Sequence, residues 1–297
     1  MGTARYVACY QRWIAGQEAS LGELEAASAN AAAGRATDTE LRAVVERCMR
    51  GYAEYVACRR TLAREDGAAL FVPRWCTAFE NSMLWLGGCR PSLTIRLLYS
   101  LSGEGLEAQI EEFISGREAT ISAVRGMGLL GITARQLELV NNLHRRTLRD
   151  EDALSDRLAT LQEDIADRPL LPIVRERERE RGRGTATRCD GFAGRLVVAG
   201  PARAVDAEVD AALATYKTGL GKLLEEADEL RLSTTRTLTT EILTPRQAVE
   251  TLVAAKQLHL AVRDWSRRGE VATLPTHSQT ARAPLTLPAL PSHRANP

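Results

Sequence analysis

The chain has 297 residues, 44% of them hydrophobic, which is enough apolar mass for one large core or two closely joined ones. Its 39 basic and 38 acidic residues leave a formal charge of +1, so no global field draws it to nucleic acid or to an anionic membrane. Any such contact must be local.

The N-terminus opens on polar and aromatic residues, not on a basic patch followed by an apolar run, so no secretory signal is expected. No apolar stretch reaches membrane-spanning length. Met1-Gly2 invites a myristoylation reading, but Tyr6 stands where that motif wants Ser or Thr. Six cysteines (Cys9, Cys48, Cys58, Cys76, Cys89 and Cys189) are scattered without a CxxC pair, which predicts reduced buried thiols and an intracellular compartment.

Ala, Leu, Glu and Arg dominate and β-branched alternation is scarce, so the period to seek is helical. A first helix carries Tyr6, Tyr10, Trp13 and Ile14 on one side. A second, opened by Thr37-Asp38, runs through Leu41, Val44, Val45, Cys48, Tyr52 and Tyr55. Pro73 precedes a short apolar segment from Trp75 to Leu86, Gly87-Gly88 breaks the chain, and Pro91 can start the next helix, roughly Ser92 to Leu101. Thr133 and Gln136 then form a capping-box pattern. It opens a long helix whose apolar positions Leu137, Val140, His144, Leu148, Leu154, Leu158, Leu161 and Ile165 predict one core face, until Pro169 stops or kinks it.

Arg and Glu alternate from Arg175 to Arg183, a solvated helix end. Residues 184–204 read as a flexible loop. Val209 to Leu230 marks another long helix, and Thr244-Pro245 gives an N-cap with Pro at the first turn of a last helix ending near Arg268. The fold expected is all-α: a multi-helix bundle of long antiparallel helices over residues 5–269, followed by a Pro-rich disordered tail over 270–297.

Catalytic and cofactor signatures fail in context. Gly126-Met127-Gly128-Leu129-Leu130-Gly131 fits GxGxxG, but an uninterrupted amphipathic helix follows it in place of a second strand ending in an acid, so it reads as an interhelical loop. Gly219-Leu220-Gly221-Lys222 lacks the upstream glycine of a phosphate loop and reads as helix surface. There is no GxSxG or HExxH, and the cysteine spacings do not suit zinc. Glu111-Glu112 and Glu225-Glu226 diverge by about 100° on a helix and cannot share a site. The chain is therefore not expected to be an enzyme. His144 and His259 both fall on faces that could point inward, either as neutral core histidines or as cofactor ligands; His277 and His293 carry no signal.

Trp75 to Leu101 reads WCTAFENSMLWLGGCRPSLTIRLLYSL, and this segment resembles the Delay of Germination domain of plants, the domain also found in the C-terminal half of TGA-type bZIP transcription factors and in the Inaperturate Pollen proteins. The resemblance continues through 161–167, 226–232 and 242–248 and covers roughly Tyr6 to Arg268. It implies a non-enzymatic regulatory protein, in the nucleus, the cytoplasm or both, acting in seed dormancy and abscisic acid signalling through a type 2C protein phosphatase. It leaves open a TGA-like role in transcription, a haem sensor and self-association. Direct DNA binding is not expected, because no basic region or zipper is seen upstream.

The resemblance also assigns residues. Trp75, Glu80, Trp85, Gly87, Gly88, Arg90 and Pro91 form a structural motif, in which the glycines permit a tight turn and Arg90 caps or pairs near the junction. Tyr10 and Trp13 resemble the N-terminal Tyr-x-x-Trp stretch that contacts the phosphatase, with core packing as the competing reading. His259 matches the first of two haem-ligating histidines four residues apart. Arg263 occupies the second position and cannot ligate iron, so a haem site here would keep His259 alone, with His144 as a second donor if the fold brings it near.

Overall fold

The computed structural model describes residues 2–102, 131–186 and 201–273, and these are all-helical apart from connecting turns. The helices are α1 (Gly2–Ala32), α2 (Asp38–Phe71), the short α3 (Ala78–Ser82), α4 (described over 92–102), α5 (Ala134–Ile165), α6 (Leu171–Ala186), α7 (Pro201–Arg236) and α8 (Pro245–Thr273). The GxGxxG glycines at 126 and 128, the segment 187–200 and the tail from 274 lie outside the described residues.

Local chemistry sets the starts. Thr37 accepts from Glu40 N while Glu40 reaches back to Thr37 N, closing a capping box ahead of α2; Thr133 and Gln136 do the same for α5, and Thr244 and Gln247 for α8. Pro169 does not stop the chain. It sits in a wider π-type turn, Ala166–Leu170, that joins α5 to α6. A second π-type turn, Thr237–Ile242, ends α7. The helix expected to start after residue 204 begins at Pro201, and the last helix extends past Arg268 to Thr273.

Four of the helix pairs are antiparallel. Arg5 with Glu65 (2.8 Å), Tyr6 with the Leu62 carbonyl (3.0 Å) and Glu23 with Arg47 (3.1 Å) set α1 against α2. Arg59 with Asp228 (2.7 Å) and Arg64 with Glu225 (3.0 Å) set α2 against α7. Thr147 with Thr234 (3.4 Å) and the Arg157–Glu226 pair set α5 against α7, and Gln17 with Lys256 (2.6 Å) sets α1 against α8. The main core gathers Leu24, Met49, Ile95, Leu98, Val140, Leu238 and Val249 from α1, α2, α4, α5, α8 and the second π-type turn.

Four sequence expectations need correction. The buried stripe of α5 is Val140, Leu143, Thr147, Glu151 and Leu154, while Leu137 and Leu148 are 44% and 39% exposed; two polar side chains belong to the core face and rotate it. Gly221 is not helix surface: a Cβ there would meet the Ala63 carbonyl at 2.7 Å, and one on Gly67 would meet Gly221 N at the same distance, so the two glycines let α2 and α7 cross backbone to backbone. Residues 184–186 and 201–204, expected as loop, are helical. The sulfurs of Cys9 and Cys58 meet across the α1–α2 interface with Cα atoms 6.7 Å apart, so these two are not isolated thiols.

Candidate functional site

Tyr52, Tyr55 and Arg59 lie three and four residues apart on α2, hence on one face, and that face looks toward Tyr10 and Trp13 of α1. Together with Trp75 from the loop after α2 and with His259 and Val262 of α8, they enclose a cavity of about 220 Å³. The walls are two aromatic pairs. Trp13 stacks on Tyr55 with centroids 4.4 Å apart and planes 8° apart, and Tyr10 leans on Trp75 at 6.0 Å.

The floor is ionic. Asp228 of α7 accepts from Arg59 Nε and from Arg231 Nη1, both at 2.7 Å, and all three side chains are less than 10% exposed. Arg231 also donates to the carbonyls of Cys89 (2.7 Å), Leu86 (3.0 Å) and Trp85, so one guanidinium grips the whole turn after α3. Arg59 Nη2 is buried and has no hydrogen-bond acceptor. Burial opposes the charge on Arg59, but Asp228 and Tyr55 outweigh it and hold its pKa above the ordinary value. Burial pushes the Tyr10 and Tyr52 phenols well up, so both stay protonated at neutral pH.

The structural motif named from sequence comes together at this floor. Trp85 N donates to the Gly88 carbonyl at 2.7 Å, and Leu86 (φ 46°) and Gly87 (φ 64°) are the central residues of the tight turn between them. Gly87 is the residue the turn geometry needs. Gly88 serves a different purpose: a Cβ there would meet Arg231 Cζ at 2.8 Å. Trp85 Nε1 donates to Ser155 at 3.0 Å, and its ring lies under Arg90 and Arg231. Arg90 reaches Glu151 at 3.3 Å, and Pro91 leads into α4. Glu80 caps α3 through Thr77 N and pairs with Arg263.

Tyr10 is only 7% exposed, with its hydroxyl accepting from Arg263 Nη1 at 2.7 Å; Trp13 is partly exposed, beside Lys256. His259 stands at the exposed rim of the cavity. His144 packs on Tyr99 at 5.6 Å and does not line the cavity, so the two histidines do not face a common space. Arg263 is committed to Glu80 and Tyr10. The residues present therefore offer one imidazole at the cavity and no second histidine beside it, which does not fit a bis-histidine haem site.

Three participants were not visible in the sequence. Arg59, Asp228 and Arg231 carry the ionic floor; the i,i+3 spacing of Asp228 and Arg231 was the one local signal. Glu151 was missed as well. It is fully buried on α5 and accepts from Ser92 N (2.7 Å) and Ser92 Oγ (3.1 Å), so it caps α4 from a distant helix. Among the described residues there is no cluster of three or more His, Cys, Asp or Glu suited to a metal, and no helix is long and apolar enough to cross a membrane.

Comparison with known proteins places this architecture. Residues 20–100 match a family model described as seed dormancy control. The Arabidopsis thaliana protein DOG1-like 3 is 30% identical over 259 residues, covering 87% of this chain and 83% of that protein. DOG1-like 2 from the same plant is 32% identical over 259 residues, covering 87% and 89%. The Arabidopsis transcription factor TGA2 is 29% identical over 254 residues, covering 85% of this chain and 61% of the factor.

Proposed function

Because the chain belongs to the DOG1 family of seed dormancy control, we propose that it is a non-enzymatic regulator of seed dormancy and abscisic acid signalling that acts by binding other proteins, a type 2C protein phosphatase first among them. The observation that carries this reading is likeness to DOG1-like proteins along nearly the whole chain. The phosphatase contact is assigned to α1. Trp13 is partly exposed there, its ring backed by Tyr52 and Tyr55, and Tyr10 lies one turn away on the same helix, fixed by Arg263. Aromatic anchors of this kind dominate the energy of protein interfaces.

The likeness to TGA2 favours a second setting, in which the protein works beside transcription factors in the nucleus, through protein contacts and self-association and not by reading bases. With a net charge of +1, sequence-independent attraction to DNA is small.

Capture of a type 2C phosphatase from the abscisic acid pathway by the immobilised full chain tests the reading. Binding to the wild-type chain is expected, with at least a tenfold loss in a Tyr10→Phe, Trp13→Ala double variant whose circular dichroism is unchanged. Absence of capture by the wild-type chain overturns the phosphatase assignment. Full capture by the folded double variant overturns the α1 contact.

A further inference from the structure

We propose that the cavity between α1, α2, α7 and α8 is a binding site for a small planar monocarboxylate, one or two rings across, whose carboxylate is held at Arg59 and whose ring lies among the aromatic walls.

Three features of the cavity specify that occupant. The first is charge. Two guanidinium groups, Arg59 and Arg231, share the single carboxylate of Asp228, which leaves one positive charge in excess on side chains less than 10% exposed. The other carboxylate on the wall, Glu80, is taken by Arg263 at 3.0 Å. Burying an uncompensated charge is costly, so the arrangement favours a monoanion, and a dianion would overshoot it.

The second is an unsatisfied buried donor. Arg231 spends its N–H groups on Asp228 and on the carbonyls of the 85–89 turn, whereas Arg59 Nη2 is buried with no acceptor. The Tyr55 ring lies beside the same guanidinium, 5.6 Å from its Cζ, and its phenol can donate to an incoming oxygen. A carboxylate accepts in the fork geometry that an arginine offers. A neutral apolar occupant would leave Nη2 unsatisfied.

The third is shape. The stacked Trp13–Tyr55 pair and the tilted Tyr10–Trp75 pair line the cavity with rigid aromatic surface, which suits a ring better than a flexible chain. At about 220 Å³ the cavity is smaller than the roughly 300–1,000 Å³ that drug-sized ligands occupy, so the occupant is small. Entry is at the rim, where His259 and the 51% exposed Met83 face solvent.

Titration of the purified full chain with 2-naphthoate, followed by calorimetry and by quenching of tryptophan fluorescence, tests this directly. Saturable binding of one molecule per chain is expected. The neutral 2-naphthamide and the flexible decanoate should each bind at least tenfold more weakly. Arg59→Gln should lose binding at least tenfold, and if that variant does not fold, Val262→Phe, which narrows the cavity from α8 and leaves the ionic floor intact, should lose it equally. No saturable binding at millimolar 2-naphthoate, equal binding of the amide, or unchanged affinity in folded Val262→Phe overturns the site. Tighter binding of decanoate overturns the planar occupant.

Discussion

Arg263 donates to Glu80 at 3.0 Å and so ties the last long helix to the short helix that follows Trp75. The same Nη1 donates to Tyr10, which brings α1, α3 and α8 to one buried point. Removing the cation leaves the Glu80 carboxylate, 8% exposed, without its counter-charge, its cap bond to Thr77 remaining. Arg263→Met is expected to cost about 3 kcal/mol, as broken buried ion pairs do. Urea unfolding measures it, and an unchanged midpoint would contradict the assignment.

The same arginine decides the haem question. With one imidazole at the cavity, haem titration of the wild-type chain is expected to give no saturable six-coordinate Soret spectrum. Arg263→His sets a second imidazole one helical turn from His259 on the same face, so that variant is expected to bind haem more tightly than the wild-type chain but without a six-coordinate spectrum, since two donors on one helix face cannot reach both sides of the iron. Such a spectrum in the wild-type chain, abolished by His259→Ala, would refute the reading.

Gly87 has a left-handed backbone (φ 64°), and a Cβ on it would meet the Leu70 carbonyl at 2.5 Å. Gly87→Ala therefore carries the left-handed penalty of about 1–2 kcal/mol plus a clash with backbone that cannot move aside. The thermal midpoint should fall clearly below that of Gly34→Ala, where φ is also positive but the Cβ meets nothing within 4 Å. Equal midpoints would show that the contact with Leu70 is unimportant.

Glu151 holds the start of α4 from α5. Glu151→Ala removes the acceptor for a buried backbone N–H and a buried hydroxyl of Ser92, with an expected loss of about 2–3 kcal/mol. Faster hydrogen exchange at the Ser92 amide than in the wild-type chain should accompany it. Unchanged protection there would mean that the cap is made otherwise.

Although its outer side faces solvent at the rim, the helices packed beside His259 desolvate it in part and lower its pKa below its ordinary 6.5, with Glu80 opposing and Arg263 and Lys256 reinforcing. The unfolded chain then binds this proton more readily than the folded one. Its contribution to stability is present above about pH 6.5 and is lost as the pH falls toward the depressed folded value. His259→Gln should flatten the drop in melting temperature between about pH 7.5 and 5.5; a variant with the wild-type slope would exclude His259 as its source.

The elements legible in the sequence are those whose cause is local. Thr37, Thr133 and Thr244 each announce a helix start because the capping partner lies three residues on. The double glycine at 87–88 announces a turn, but not that Leu86 and Gly87 are its central pair, since Gly88 answers to the approach of Arg231 from a distant helix. The face of α5 misled because apolar periodicity gives no weight to Thr147 and Glu151, which are buried through partners on α7 and ahead of α4. The cavity itself was out of reach. Tyr52 and Tyr55 read as a core stripe, Tyr10 and Trp13 as a partner contact or core, and the floor depends on Arg59 meeting Asp228 across 169 positions of chain.

That separation shapes how the molecule assembles. Helical bundles that pair neighbouring helices close short loops and fold quickly, whereas α2 has its most extensive interface with α7, which the chain reaches only after α3, α4, α5 and α6. The α1–α2 hairpin can form early from adjacent sequence, but Gly67 has no Gly221 to cross and Arg59 no carboxylate until α7 arrives. Until then α2 presents an apolar face and a lone guanidinium to the medium. During synthesis this leaves a long interval of exposure in which a chaperone can engage the nascent chain, and it makes truncations before residue 221 prone to aggregation.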